Sequence, residues 1–144
     1  MRFMMFIYPV VYQGEKGRQV GPDFAPGTED VETMMKYNEE LAKAGALISL
    51  DGFHPPANAA GISFKGGRPI PMEGLAGSSR VLGGYWMIRV QSRDEAIQWA
   101  RRIPAQDGDF VEIRQVFEMD DFPEAVRKAA DNQTVTAALT DRKS

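Results

Sequence analysis

Residues 82–117 read LGGYWMIRVQSRDEAIQWARRIPAQDGDFVEIRQVF, and this stretch decides the fold. Leu82 to Val90 is an apolar, aromatic and β-branched run of strand length. Ser92, with Glu95 three residues on, is the capping-box pattern, in which each side chain satisfies a backbone N–H that a helix start leaves without a partner. Ala96, Ile97, Ala100 and Ile103 then recur at helical spacing, and Pro104 ends the run. From Phe110 to Phe117, Val111, Ile113 and Val116 alternate with Glu112, Arg114 and Gln115, as in a half-buried strand. The unit is strand–helix–strand.

The same order occurs nearer the start of the chain. Phe3 to Val11 has the composition of a central strand. Thr28 is the expected N-cap of a helix whose first turn carries Glu29, Asp30 and Glu32 to complement the helix dipole. Val31, Met34, Met35, Leu41 and Ala42 give its apolar positions, Gly45 its left-handed stop, and Ala46 to Leu50 the following strand. Between the halves, Gly61 to Lys65, a turn at Gly66-Gly67 and Arg68 to Pro71 read as an edge hairpin, where prolines are tolerated. Two like units joined by an insert describe an α+β, ferredoxin-like antiparallel sheet with helices on one face. The other face needs a cover. The cheapest is a second copy, so a homodimer closing a dimeric α/β barrel is expected.

The connections are less regular. Gln13 to Gly27 reads as a glycine- and proline-broken loop, and Glu73 to Arg80 as a second one. Phe53-His54-Pro55-Pro56 must be extended, since each proline disfavours helical angles in the residue before it. Residues 1–123 are expected to form one domain and 124–144 a tail, with a short helix over Phe122–Ala130 and fraying beyond Asp131.

Composition narrows the functions available. The chain has 144 residues, 43% hydrophobic and 26% charged, enough to bury a core without metal or disulfide staples. A net charge of −3, with no basic stripe beyond Arg101-Arg102, argues against a nucleic-acid partner. Without cysteine there is no disulfide and no thiolate chemistry, which is compatible with a cytoplasmic location. The apolar run Phe3–Ile7 is too short for a signal peptide and lacks a small-residue cleavage site, and no segment approaches the length of a membrane span.

Six stretches, in order, resemble the YCII-related (DGPF) family: Met1–Ile7, Met35–Leu41 with Lys43-Ala44-Gly45, Asp51–Pro56, Leu82–Trp86, Asp94–Ala100 and Val111–Phe117. The resemblance runs to about Pro123 and implies a dimeric α+β barrel with a cleft beside the sheet. It also implies small-molecule chemistry in a few relatives and a His–Asp pair in the shorter ones. Two features depart from the pattern. The Asp-Gly-Pro-Phe motif falls on Met72–Arg80, where this chain has Met-Glu-Gly-Leu-Ala-Gly-Ser-Ser-Arg, and helix Thr28–Ala44 holds no histidine.

His54 is the only histidine, so one protomer cannot build a multi-histidine metal site. Asp51, three residues earlier, is a candidate to orient its ring as a general acid or base. The competing reading makes His54 a local cap of the turn before two prolines. Glu73 is a candidate second polar residue of the cleft, and Arg80, with Ser78 and Ser79, a candidate grip on an anion. Tyr85 and Trp86 alternate, so one should face the helices and the other the cleft or dimer side as an aromatic wall. Gly83-Gly84 suits close backbone approach and is not a nucleotide loop. Arg114 and Glu112 are expected to pair on one face of their strand, and the methionines to be packing. The expected function is cofactor-independent proton transfer, isomerisation or elimination on a small metabolite. The rival is a non-catalytic binding or accessory module.

Overall fold

The computed structural model describes residues 1–75 and 80–141, the last two by backbone alone. Strands β1 (Arg2–Tyr8), β2 (Leu47–Gly52), β5 (Gly84–Arg89) and β6 (Phe110–Gln115) form an antiparallel sheet in the order β2-β5-β1-β6. Helices α2 (Thr28–Lys43) and α3 (Arg93–Arg101) cover one of its faces. This is the α+β, ferredoxin-like arrangement the two strand–helix–strand units imply. Strands β3 (Ala60–Lys65) and β4 (Arg68–Glu73) form the separate hairpin, turned at Gly66 (φ 59°) and Gly67 (φ 75°), where positive φ favours glycine.

The core lies between sheet and helices. Phe3 and Met5 of β1, Trp86 and Ile88 of β5, Leu41 of α2 and Ala96 of α3 are all buried. The Ser92 hydroxyl accepts from the Glu95 N–H at 3.1 Å, while the Glu95 carboxylate accepts from Gln91 N–H at 2.8 Å, one residue before the N-cap. Tyr37 ties the two helices by donating to the Trp99 carbonyl at 2.8 Å, and burial pushes its phenol well up. The single buried polar side chain among the described residues, Asn38, accepts from the Trp86 indole N–H at 2.7 Å, which satisfies both in the apolar core.

Several local expectations are corrected. Gly27, not Thr28, is the N-cap of α2, with no side-chain cap bond. Val31, Met35 and Ala42 are exposed, because the helix turns Tyr37, Asn38 and Leu41 to the core and leaves those three beside the β2 edge. The supposed loop after β1 contains a 3₁₀ turn (Val10–Tyr12) and a short helix, α1 (Gly14–Gln19). Gly17 is not a breaker there: a Cβ would sit 2.1 Å from the Tyr12 carbonyl oxygen, so it permits the packing of that helix. After α4 (Glu124–Ala130), a further helix, α5 (Gln133–Asp141), follows where no element was expected. Among the described residues no helix is long and apolar enough to cross a membrane.

Candidate functional site

Two glycines let the chain close over one end of the sheet. A Cβ on Gly84 would lie 2.7 Å from the Asp51 carbonyl oxygen, and one on Gly83 would lie 2.3 Å from the Pro9 ring. The Gly83 carbonyl accepts from Phe53 N–H at 2.9 Å, anchoring the segment that leads to His54. Pro55 is extended, as the following proline requires, and leads into a 3₁₀ turn, Pro56–Asn58, that closes with Asn58 N–H donating to the Pro55 carbonyl at 2.9 Å. Between these segments and β1 lies a cleft of about 460 Å³, lined by Tyr8, Phe53, His54, Pro56, Arg80 and Leu82 among others. That volume is in the range of small-molecule sites. A smaller cavity of about 250 Å³ adjoins it through Pro56, Leu75 and Val81 and carries Arg18 and Glu73.

The cleft has a cationic and an aromatic side. The Arg80 guanidinium lies 3.8 Å from the centre of the Phe110 ring and 5.8 Å from that of Tyr8. It makes no ion pair among the described residues, although Glu112 is near enough to feel its charge, so its hydrogen-bond donors remain available to an anion. Tyr8 donates to Glu112 at 2.8 Å. Burial, then that bond, raises the Tyr8 phenol, while the same bond, helped by Arg114, holds Glu112 below the ordinary carboxylate range. Arg114 and Glu112 do pair, at 3.4 Å. His54 is exposed, and its Nδ1 lies 3.2 Å from the Asn58 side-chain nitrogen. That nitrogen also donates to the Pro22 carbonyl at 2.9 Å.

The structure thus brings His54 and Arg80 together, but not His54 and Asp51. The Asp51 carboxylate accepts instead from the Tyr85 hydroxyl at 2.6 Å, and that bond, ahead of burial, raises the Tyr85 phenol. Asp51 stands opposite Tyr85 in the strand register, which favours this pairing over a reach along the chain to His54. Tyr85 stands behind the cleft, its ring 6.1 Å from that of Phe53. Trp86 faces the helices and is buried, so it serves as core rather than wall. Glu73 lines the adjoining cavity, and Ser78 and Ser79 lie outside the described residues. Sequence reading missed Tyr8, Phe53 and Asn58. Asn58 had a signal, four residues after His54 across a proline-started turn, whereas Tyr8 enters only because β1 pairs with β6.

Among the described residues no group of three or more His, Asp or Glu side chains could hold a metal ion. No curated protein matches the chain. Residues 1–120 match the YCII-related domain, and the chain belongs to that family.

Proposed function

We propose that the protein binds a small, flat, anionic metabolite in the cleft beside His54 and acts on it without a cofactor, by proton transfer, isomerisation or elimination. One observation carries this reading: the only histidine and an arginine that forms no ion pair among the described residues share a cavity of about 460 Å³ walled by Tyr8 and Phe53. Arg80 supplies the charge for a carboxylate or similar group, and the rings supply a stacking surface. Glu73, Asp51 and Tyr85 stand around this site without lining the cleft itself.

A homodimer in the cytoplasm is part of the proposal, with neither nucleic acid nor membrane as partner. The uncovered sheet face supports it, with Met4, Phe6 and Met87 only partly shielded, as does the hairpin, with Phe64 74% and Ile62 61% exposed.

The non-catalytic alternative is favoured by one specific observation. Asp51 is engaged by Tyr85, so no carboxylate orients the imidazole as in a His–Asp pair. A thermal-shift screen of small carboxylates against wild type, Arg80→Ala and His54→Ala tests both readings, because ligand bound to the folded form raises its stability. Binding that Arg80→Ala removes supports the cleft. Turnover of a binding compound that His54→Ala removes supports an enzyme, and binding without turnover supports the accessory module. If no carboxylate shifts the wild type, or if Arg80→Ala leaves every shift intact, the cleft reading is wrong.

A further inference from the structure

Resting on that cleft reading, the hydrogen bonds around Asn58 specify what His54 can do in it. A neutral imidazole has one N–H and one lone pair, and the partner of one nitrogen decides the character of the other. Asn58 is four residues from His54, on a turn fixed by its own backbone bond to Pro55. Its amide group could in principle present either oxygen or nitrogen to the ring. The Pro22 carbonyl removes that choice. A carbonyl only accepts, so the Asn58 atom 2.9 Å from it must be the NH₂ group, and that same nitrogen lies 3.2 Å from His54 Nδ1. With one hydrogen for each acceptor, both bonds are satisfied. Turning the amide over would set two carbonyl oxygens against each other.

We infer that Asn58, oriented by the Pro22 carbonyl, keeps His54 in the tautomer with its proton on Nε2, so that His54 offers the cleft a hydrogen-bond donor and not a base. Asn58 is a positioning residue. His54 touches the ligand. Nε2 is the ring nitrogen without a partner among the described residues, and His54 lines the cleft that also holds Arg80. A neutral N–H beside a guanidinium suits an oxygen bearing negative charge, or a carbonyl oxygen gaining it, as in an enolising ketone or a carboxylate. The ligand class is therefore an oxyanion or an α-carbonyl acid. Ligands that can only donate to the imidazole, such as ammonium groups, fit poorly. The inference also alters the division of labour: in any isomerisation or elimination here His54 polarises the oxygen, and the proton is taken by another base.

The test exploits His54 being the only histidine, so its ring signals need no assignment. Full-length protein labelled with ¹⁵N-histidine is examined by two-bond ¹H–¹⁵N correlation at a pH where the ring is neutral. A lone-pair nitrogen at Nδ1 and a protonated one at Nε2 are expected. Free imidazole already leans this way, so the deciding variant is Asn58→Asp, whose carboxylate can only accept and should draw the proton to Nδ1. Benzoate is titrated in parallel by NMR. Loss of one donor to a charged ligand predicts binding weaker by about tenfold or more in Asn58→Asp, and likewise in His54→Phe, which keeps a flat ring without nitrogens.

A protonated Nδ1 in the wild type, or an unchanged tautomer in folded Asn58→Asp, overturns the inference. If Arg80→Ala loses benzoate while the wild-type ring is protonated at Nδ1, the cleft stands and only the donor role falls. If Arg80→Ala binds benzoate as the wild type does, the cleft reading itself has failed, whatever the tautomer.

Discussion

The two faces of the central sheet are built from the same strands by alternate residues, yet they are held by different forces. Toward the helices, Phe3, Met5, Trp86 and Ile88 are fully or almost fully buried, and the one polar partner there, Asn38, is hydrogen-bonded to Trp86. On the opposite face the neighbours of those residues are Arg2, Tyr8, Tyr85 and Glu112, joined in pairs: Arg2 to Glu118, Tyr8 to Glu112, Tyr85 to Asp51. Met4, Phe6 and Met87 lie among them, only partly exposed. The first face stabilises by excluding water, and the second by polar pairs that remain in contact with it. The second is therefore not the purely greasy surface that alternation suggests, and a partner docking there must meet tyrosine–carboxylate pairs as well as methionines.

The largest expected effect comes from carrying one truncation to each face at adjacent positions. Trp86→Ala removes a buried ring that packs edge-on against Tyr37 at 5.8 Å and leaves Asn38 without its partner. It should cost roughly 3–5 kcal/mol in urea unfolding. Tyr85→Phe, one residue away, deletes only a hydroxyl on the open face and should cost about 1 kcal/mol or less. Equal losses would erase the distinction between the faces. Asn38→Ala is the finer probe of the buried side. It leaves the indole N–H unsatisfied in the core, an expected loss of about 1–3 kcal/mol that Asn38→Gln would not repair unless its longer amide reached the same atom.

Of the two sheet faces, acid should act on the open one. Arg2 and Arg89 stand opposite each other in register, a repulsive arrangement on its own, and Glu118 answers both. It takes two bonds from Arg2, at 2.7 and 3.1 Å. The Arg2 hydrogen bond is the main cause that holds the Glu118 carboxyl below its ordinary value near 4.5. Because the folded state binds that proton less readily than the unfolded one, the contribution is present above the ordinary carboxylate range and disappears as pH falls through the lowered folded value. Both groups are partly exposed to solvent, whose screening keeps the effect modest. Urea unfolding across this range should show stability falling toward acid, with a shallower fall in Glu118→Gln. An identical slope in that variant would remove Glu118 from the account.

How much of this was legible varies with how local each cause is. Strand alternation and the Ser92–Glu95 cap are short-range, so the helix-covered face could be read almost entire. The open face could not. Its pairs join residues such as Arg2 and Glu118, whose separation in sequence is 116, and nothing local marks them. The same holds for the site. His54 and Arg80 stood out as the sole histidine and a loop arginine, but the preference of Asp51 for Tyr85 depends on cross-strand register. The bulge that leaves Ile48 exposed on β2 was equally invisible, because a single extra residue changes no composition. Helix α1 was obscured by glycines that read as breakers, although Gly17 is required by the close approach of Tyr12.

The smallest expected effect on the folded chain lies in the hairpin, which belongs to neither face. Ile62 and Phe64 alternate along β3, opposite Pro71 and Pro69, and all four are exposed. Phe64→Ser therefore gives up almost no burial within one protomer, and its unfolding free energy at low concentration should stay within about 0.5 kcal/mol of wild type. Association should respond differently if the second copy covers this arm. An exposed phenylalanine in such a position is worth keeping only where something removes it from water. Sedimentation equilibrium over a concentration series would then show Phe64→Ser dissociating at higher concentration than wild type, with Tyr85→Phe nearer to wild type. Were Tyr85→Phe to dissociate the dimer and Phe64→Ser to leave it intact, the contact between copies would lie across the polar-laced sheet face, and the hairpin would have to be explained some other way.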